Sequence, residues 1–381
     1  MMADQKRIVS WLCDMARIDS PSCEERHMAD WMIQRLRELG ADEIKEDTAG
    51  KALHGNCGNL LAVFHATEEG LPSIGLAGHL DCVEVCRGVI PVAENGVVHS
   101  AGNTILGADD KAGLAAVLEG LHQMQEKKIP HGKVSFLITV HEEGGVRGSR
   151  VMDRSFLEGI DCAYVLDVNG EPGSVCIGAP GQMQIHLEMT GRSAHAGVEP
   201  QKGISAVMMM VHALSGMKTG WTDEETTFNV GRICGGTAVN VVPASCTADT
   251  AVRSLTEEKM TVLQKELERR CRETEDAFPG GRAEAVSHLM YHPFRMKEDS
   301  PCVELAAEAL RAEGLSPRFF TSGGGSDANW YNRFGIPSVL LGIGMEGMHT
   351  NEEFIRIQDL CTSGSLVYRL IYQAASRKSL R

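Results

Sequence analysis

KVSFLITVHEE, residues 133–143, decides how this chain folds. The run is apolar, rich in β-branched and aromatic residues, and short, so it reads as a buried strand. An acidic pair, Glu142-Glu143, follows at once. Three further runs end in a similar way. Residues 73–78, SIGLAG, precede His79; residues 163–166, AYVL, precede Asp167; residues 337–343, PSVLLGI, lead toward His349. A helix is predicted from near Asp110 through Leu114, Val117, Leu118 and Leu121. Each polar residue therefore lies just past a strand or at the start of a helix. In open α/β sheets, ligands bind beyond the carboxyl ends of the strands. Residues far apart in sequence can meet there.

The stretch from 181 to 293 has a different pattern. QMQIHLEMTG alternates like a half-exposed strand, and GISAVMMMVHALSGM has helical spacing. FNVGRICGG, ASCTADTAVR and EAVSHLM read as strands, and TEEKMTVLQKELERRCRET as an amphipathic helix. Strand–helix–strand–strand–helix–strand is a compact α+β, ferredoxin-like unit. The expected organisation is an α/β domain built from residues 1–180 and 294–381, with 181–293 inserted. A length of 381 residues also exceeds one typical core.

Composition excludes several classes. The formal net charge of −14 disfavours nucleic acid and anionic membranes as partners. The first residues mix charges into the apolar pattern, and no stretch is long enough to span a bilayer. The twelve cysteines are irregularly spaced, without a CxxC, so no disulfide framework is expected. Cys82 and Cys86 read as small apolar residues near a strand end rather than as a metal pair. The expected location is a reducing cytoplasm. Near the start, Ser22-Cys23-Glu24-Glu25 reads as a capping box for a helix carrying Met28, Trp31, Met32 and Leu36 and ending at Gly40.

The chemistry lies in His79-Leu80-Asp81, Asp109-Asp110, Glu142-Glu143, Asp167 and His349. Imidazole nitrogen and carboxylate oxygen together are donors that hold paired divalent metals. Each motif alone is ordinary. Asp109-Asp110 can cap a helix, and Glu142-Glu143 before Gly144-Gly145 can be a solvated turn. Their joint placement at one sheet edge favours a hydrolase over a binding module.

The series GHLD, GADDKAG, HEEGG, YVLD, GRSAHAG, GGTAVNVVP and GMHT resembles the dinuclear zinc metallopeptidases that include peptidase T, carboxypeptidase G and aminoacylase. GADDKAG and AHAGVEPQKGISA resemble the peptidase T-like branch most. The resemblance implies a mixed-sheet catalytic domain with an inserted lid or dimerisation domain. It implies His79 and Asp167 on one metal, Glu143 and His349 on the other, and Asp109 bridging both. It also implies a cis peptide between Asp109 and Asp110. Glu142 is then the general base, and Asp81 the carboxylate that orients His79. Two divalent ions would be balanced by three carboxylates and a bridging hydroxide, leaving a nearly neutral site. Zinc is the first choice, with cobalt or manganese compatible with the donors.

In the inserted segment, the resemblance assigns oxyanion stabilisation to His195, reaching the site from a partner subunit or on closure. It assigns Arg253 to a substrate carboxylate and Asn240 to a position facing substrate. A homodimer through this domain follows from the same resemblance. The expected activity is removal of the N-terminal residue from short peptides, tripeptides first. Asp167 favours this reading, because carboxypeptidase and deacylase relatives usually carry Glu there. N-acyl amino acid deacylation or carboxypeptidase action is the alternative, since Arg253 suits those substrates equally. A catalytically silent metal- or peptide-binding relative would lack a ligand, and none is missing.

Overall fold

The computed structural model describes residues 3–380. These divide into two compact units. One ends at Ala179 and resumes at Arg295; the other is Pro180–Phe294.

The first unit contributes β1 (Glu43–Glu46), β2 (Leu60–Phe64), β3 (Ile74–His79), β4 (Val134–Thr139), β5 (Cys162–Val165) and β6 (Ser174–Ala179). The second adds β7 (Gly181–Thr190), β8 (Thr226–Gly235), β9 (Ser245–Ser254) and β10 (Arg282–Tyr291). Back in the first unit come β11 (Arg318–Thr321) and β12 (Ser338–Leu341).

The large sheet runs β1-β2-β4-β3-β5-β12-β6, with β11 also pairing along β6. It is mixed. β4, β3, β5 and β12 are parallel to their neighbours in that series, while β1 pairs with β2, β2 with β4 and β12 with β6 antiparallel. Every residue of β2, β3, β4, β5 and β12 is buried. That is why these strands read as unbroken apolar runs: both faces of the sheet are covered. Register puts His79 beside Thr139, and Ala77 beside Val165. Glu142, Glu143 and Asp167 thus leave the sheet at the same end as His79.

The Ala108–Lys127 helix is buried around almost its whole circumference up to Leu121. Its regular turns begin after Asp110, because Asp109 and Asp110 have non-helical angles and a cis peptide joins them. A second, four-stranded sheet joins Pro91–Glu94, Val97–Ser100, Phe354–Arg356 and Met345–Glu346. His349 lies in the turn between the last two of these, at φ 64°. The sequence placed His349 simply beyond β12; this extra hairpin, with strands of only two and three residues, carries it.

The inserted unit has the strand order β8-β9-β7-β10, fully antiparallel, with the short Gly220–Trp221 strand outside β8. Met183, Ile185, Leu187 and Met189 alternate onto one face of β7. They share a core with Met209 and Met210 of the Ala206–Leu214 helix and with Met260 and Leu267 of the Glu257–Ala277 helix. The order and the two helices on one face make the ferredoxin-like arrangement.

The capping-box reading of residues 22–25 is corrected. The helix is Arg26–Glu38, and Ser22 does not cap it. Its hydroxyl donates instead to Asp81 Oδ2 at 2.6 Å. A buried carboxylate needs donors more than a solvent-accessible helix end does. Glu25 does reach back, but to the amide of Cys23 (2.9 Å), and it also accepts from the amide of His141 (3.1 Å). All twelve cysteines are free, and Cys82 and Cys86 pack with Ile105 in a small apolar cluster. No helix among the described residues is long and apolar enough to cross a membrane.

Candidate metal centre

β3 ends in His79, 1% exposed, and its ring is fixed from behind. Its Nδ1 lies 2.9 Å from the carbonyl oxygen of Asp81. In the neutral ring that bond places the proton on Nδ1 and leaves the Nε2 lone pair facing the cluster, free for a metal ion. Nε2 is 3.2 Å from Asp109 Oδ1 and 3.9 Å from Asp167 Oδ1. On the other side, His349 Nε2 is 3.1 Å from Asp109 Oδ2 and 3.0 Å from Glu143 Oε1. Two ligand groups result, His79–Asp109–Asp167 and Asp109–Glu143–His349, and each has donor atoms within 4.8 Å of one another. Asp109 belongs to both and offers one oxygen to each.

The electrostatics ask for cations. Burial pushes the carboxyls of Glu142, Asp167 and Glu143 upward; neighbouring acids add to this at all three. At Asp109 burial acts the same way, but His349 and His79 outweigh it and hold that carboxyl low. Hydrogen bonds that its Nε2–H donates to Asp109 and Glu143 lift His349 to about 10. At His79 burial opposes charging, yet Asp109 and Asp81 overcome it. Protonated imidazoles here balance the charge that divalent ions would balance. Mixed nitrogen and oxygen donors in two three-residue sets sharing a carboxylate fit a pair of such ions.

Asp81 takes a broader part than the sequence implied. Its carboxylate lies 3.5 Å from His79 Nδ1, longer than the carbonyl contact. Its Oδ1 accepts the amide of Glu142 at 2.9 Å, and Oδ2 the amide of Glu143 at 3.1 Å. It therefore fixes the expected base and an expected ligand through their backbone. The Asp110 carboxylate accepts the amide of His79 at 3.2 Å and sits in a slot between Gly78 and Gly113. A Cβ at either glycine would lie 2.3 or 2.1 Å from an Asp110 carboxylate oxygen.

Residues 75–373 match the family model "Peptidase family M20/M25/M40". The chain belongs to this family. The peptidase is 38% identical over 374 residues to the uncharacterized protein YqjE of Bacillus subtilis (strain 168), covering 98% of this chain and 100% of that one. It superimposes on aminopeptidase PepT from Bacillus cereus ATCC 10987 with a TM-score of 0.91 and 35% identity, covering 98% and 99% of the two chains. A tripeptidase from Staphylococcus aureus subsp. aureus Mu50 gives a TM-score of 0.94 and 35% identity, covering 99% and 100%.

The remaining expected site residues of the peptidase lie in the inserted unit. His195 and Asn240 are exposed and adjacent: His195 bridges Val241, and the amide of Ala196 donates to the Asn240 carbonyl at 3.0 Å. The amide of Gly197 donates to His195 Nδ1 (3.2 Å), so in the neutral ring Nε2 carries the proton. Arg253 stands near the end of β9, opposite Gln182 and Thr227.

Two residues near the centre escaped the sequence reading. Ser22 was read as a cap. Glu353, only 2% exposed, was not singled out. Its spacing, four residues after His349 and just before the FIR strand, was the available signal.

Proposed function

We propose that this peptidase removes the N-terminal residue from short unblocked peptides, as a tripeptidase-like aminopeptidase with two divalent ions, zinc by preference. The observation that carries the reaction is the Asp109 carboxylate, divided between two imidazoles with Glu142 close in sequence to the ligand Glu143. Support for the peptide end attacked comes from the likeness to an aminopeptidase and a tripeptidase over nearly the whole chain.

His79, Asp109 and Asp167 would hold one ion; Asp109, Glu143 and His349 the other. Such ions polarise a peptide carbonyl and acidify water. Glu142, 8% exposed and kept basic by burial, takes the proton from water and delivers it to the leaving amine. Asp81 holds Glu142 and Glu143 in place through their amides. His195 donates an Nε2–H hydrogen bond to the developing oxyanion, Arg253 holds the peptide carboxylate, and Asn240 faces the substrate. The segment 181–293 would serve as lid and as the pairing surface of a homodimer.

The test uses zinc-loaded protein with an unblocked tripeptide and its N-acetylated twin, followed by mass spectrometry. Loss of the first residue from the unblocked peptide alone is expected. Removal of acetyl, or trimming from the carboxyl end, would move the activity to the deacylase or carboxypeptidase branch. Glu142→Gln should lower kcat by about 10²–10⁴-fold. Wild-type turnover in that variant would remove Glu142 from the mechanism.

A further inference from the structure

Buried carboxylates grip backbone amides beside the ligands, and two of them take a pair of amides there. One is Asp81, on Glu142 and Glu143. The other is Glu353. Its Oε2 accepts the amide of Gly107 at 2.7 Å, and its Oε1 accepts the amide of Asp109 at 3.1 Å. These amides bracket the turn that delivers the bridging carboxylate, where Gly107 takes φ 72°. Glu353 also belongs to the turn that carries His349: its own amide donates to the Thr350 carbonyl at 3.2 Å. One side chain thus ties together the two backbone segments that present Asp109 and His349.

We propose that Glu353 is a positioning residue for the second ion site: it sets the spacing between His349 Nε2 and Asp109 Oδ2. Without it, the His349 turn is held mainly by its short hairpin strands, of two and three residues. The His79–Asp167 side does not depend on that hairpin, because His79 and Asp167 leave β3 and β5 of the large sheet directly. Loss of Glu353 therefore weakens the second ion site, which takes both Asp109 and His349, more than the first, which shares only Asp109 with it. A plain helix-capping role would lower stability and leave both ion sites equal to wild type.

This inference rests on the two-ion reading of the centre, and its test separates the two. Cobalt is titrated into metal-free wild type, Glu353→Gln and Glu353→Asp, followed by visible absorption and competition with a chromophoric chelator. Wild type should take two ions. Gln keeps the size but brings an NH₂ group against an amide N–H, and Asp keeps the charge but shortens the reach. In both variants the first ion should lose less affinity, while the second should bind about 10–100-fold more weakly. Its absorption band should shift as well. Circular dichroism and melting of each metal-free protein establish that it is folded. A folded Gln or Asp variant that binds both ions with wild-type affinity and spectrum overturns the positioning role, even if it melts lower. A wild type that takes fewer than two ions overturns the two-ion reading itself.

Discussion

Glu25 shows how a single buried carboxyl can shape the stability of this protein. One of its oxygens accepts two backbone amides, and the other is buried without a partner. Burial first, and the charge of Asp81 second, push it from 4.5 up to about 7. Its folded pKa is thus raised above the unfolded value. The stabilisation is complete below about pH 4.5 and is lost as pH rises through about 7, because the unfolded chain gives up the proton first. Glu25→Gln keeps the accepting oxygen and removes the titration. Relative to wild type, the variant should gain on the order of 3 kcal/mol between pH 4.5 and 7.5, on top of a constant offset. Denaturant melts across that range are the measurement, and a difference that does not change with pH would sink the argument. Gly78 and Gly113 act at the same scale, since the space that their missing side chains leave is occupied by the Asp110 carboxylate.

Among the elements, the Ala108–Lys127 helix is the axis of the first unit. Its start holds Asp109, and its middle packs on the Ile357–Ala374 helix. The approach is close at Gly120, where a Cβ would lie 2.3 Å from Val367 Cγ1 and 3.0 Å from the amide of Tyr368. Alanine is the better helix former by about 1 kcal/mol, so propensity alone predicts that Gly120→Ala stabilises. Packing predicts the reverse, because the two helices must separate. We expect packing to win, with a loss of about 1–3 kcal/mol. Chemical denaturation decides, and a variant as stable as wild type would mean that the helices part at little cost.

At the scale of the whole molecule, the insertion is a guest with its own core. β7 enters it and β10 leaves it as paired neighbours, with Gln182 opposite Tyr291 and the Tyr291 hydroxyl donating to Gln182 Oε1 at 2.7 Å. The chain therefore enters and exits at one place. Its apolar cluster is formed by residues between Met183 and Leu289. Residues 180–294 expressed alone should fold and melt cooperatively. A broad, non-cooperative transition by circular dichroism would show that the rest of the chain completes its core.

The sequence by itself determined which residues offer donors that could hold a metal and which strands place them. Apolar runs such as KVSFLITV are covered on both faces, so their pattern is local and strong, and the polar residues after them mark the sheet edge. The alternation in QMQIHLEMTG likewise exposed the insertion. The tertiary structure alone decided the partners of hydrogen bonds that join distant segments. Ser22 has the local signature of a cap, yet a carboxylate 59 residues away accepts its hydrogen bond. Glu353 shows locally only its spacing from His349, and nothing of its role, because the amides it holds lie 244 and 246 residues earlier. Periodicity reports burial, which each strand or helix carries in its own residues. A buried carboxylate is satisfied by whichever donors the fold brings to it, and that is settled only when the chain has closed around it.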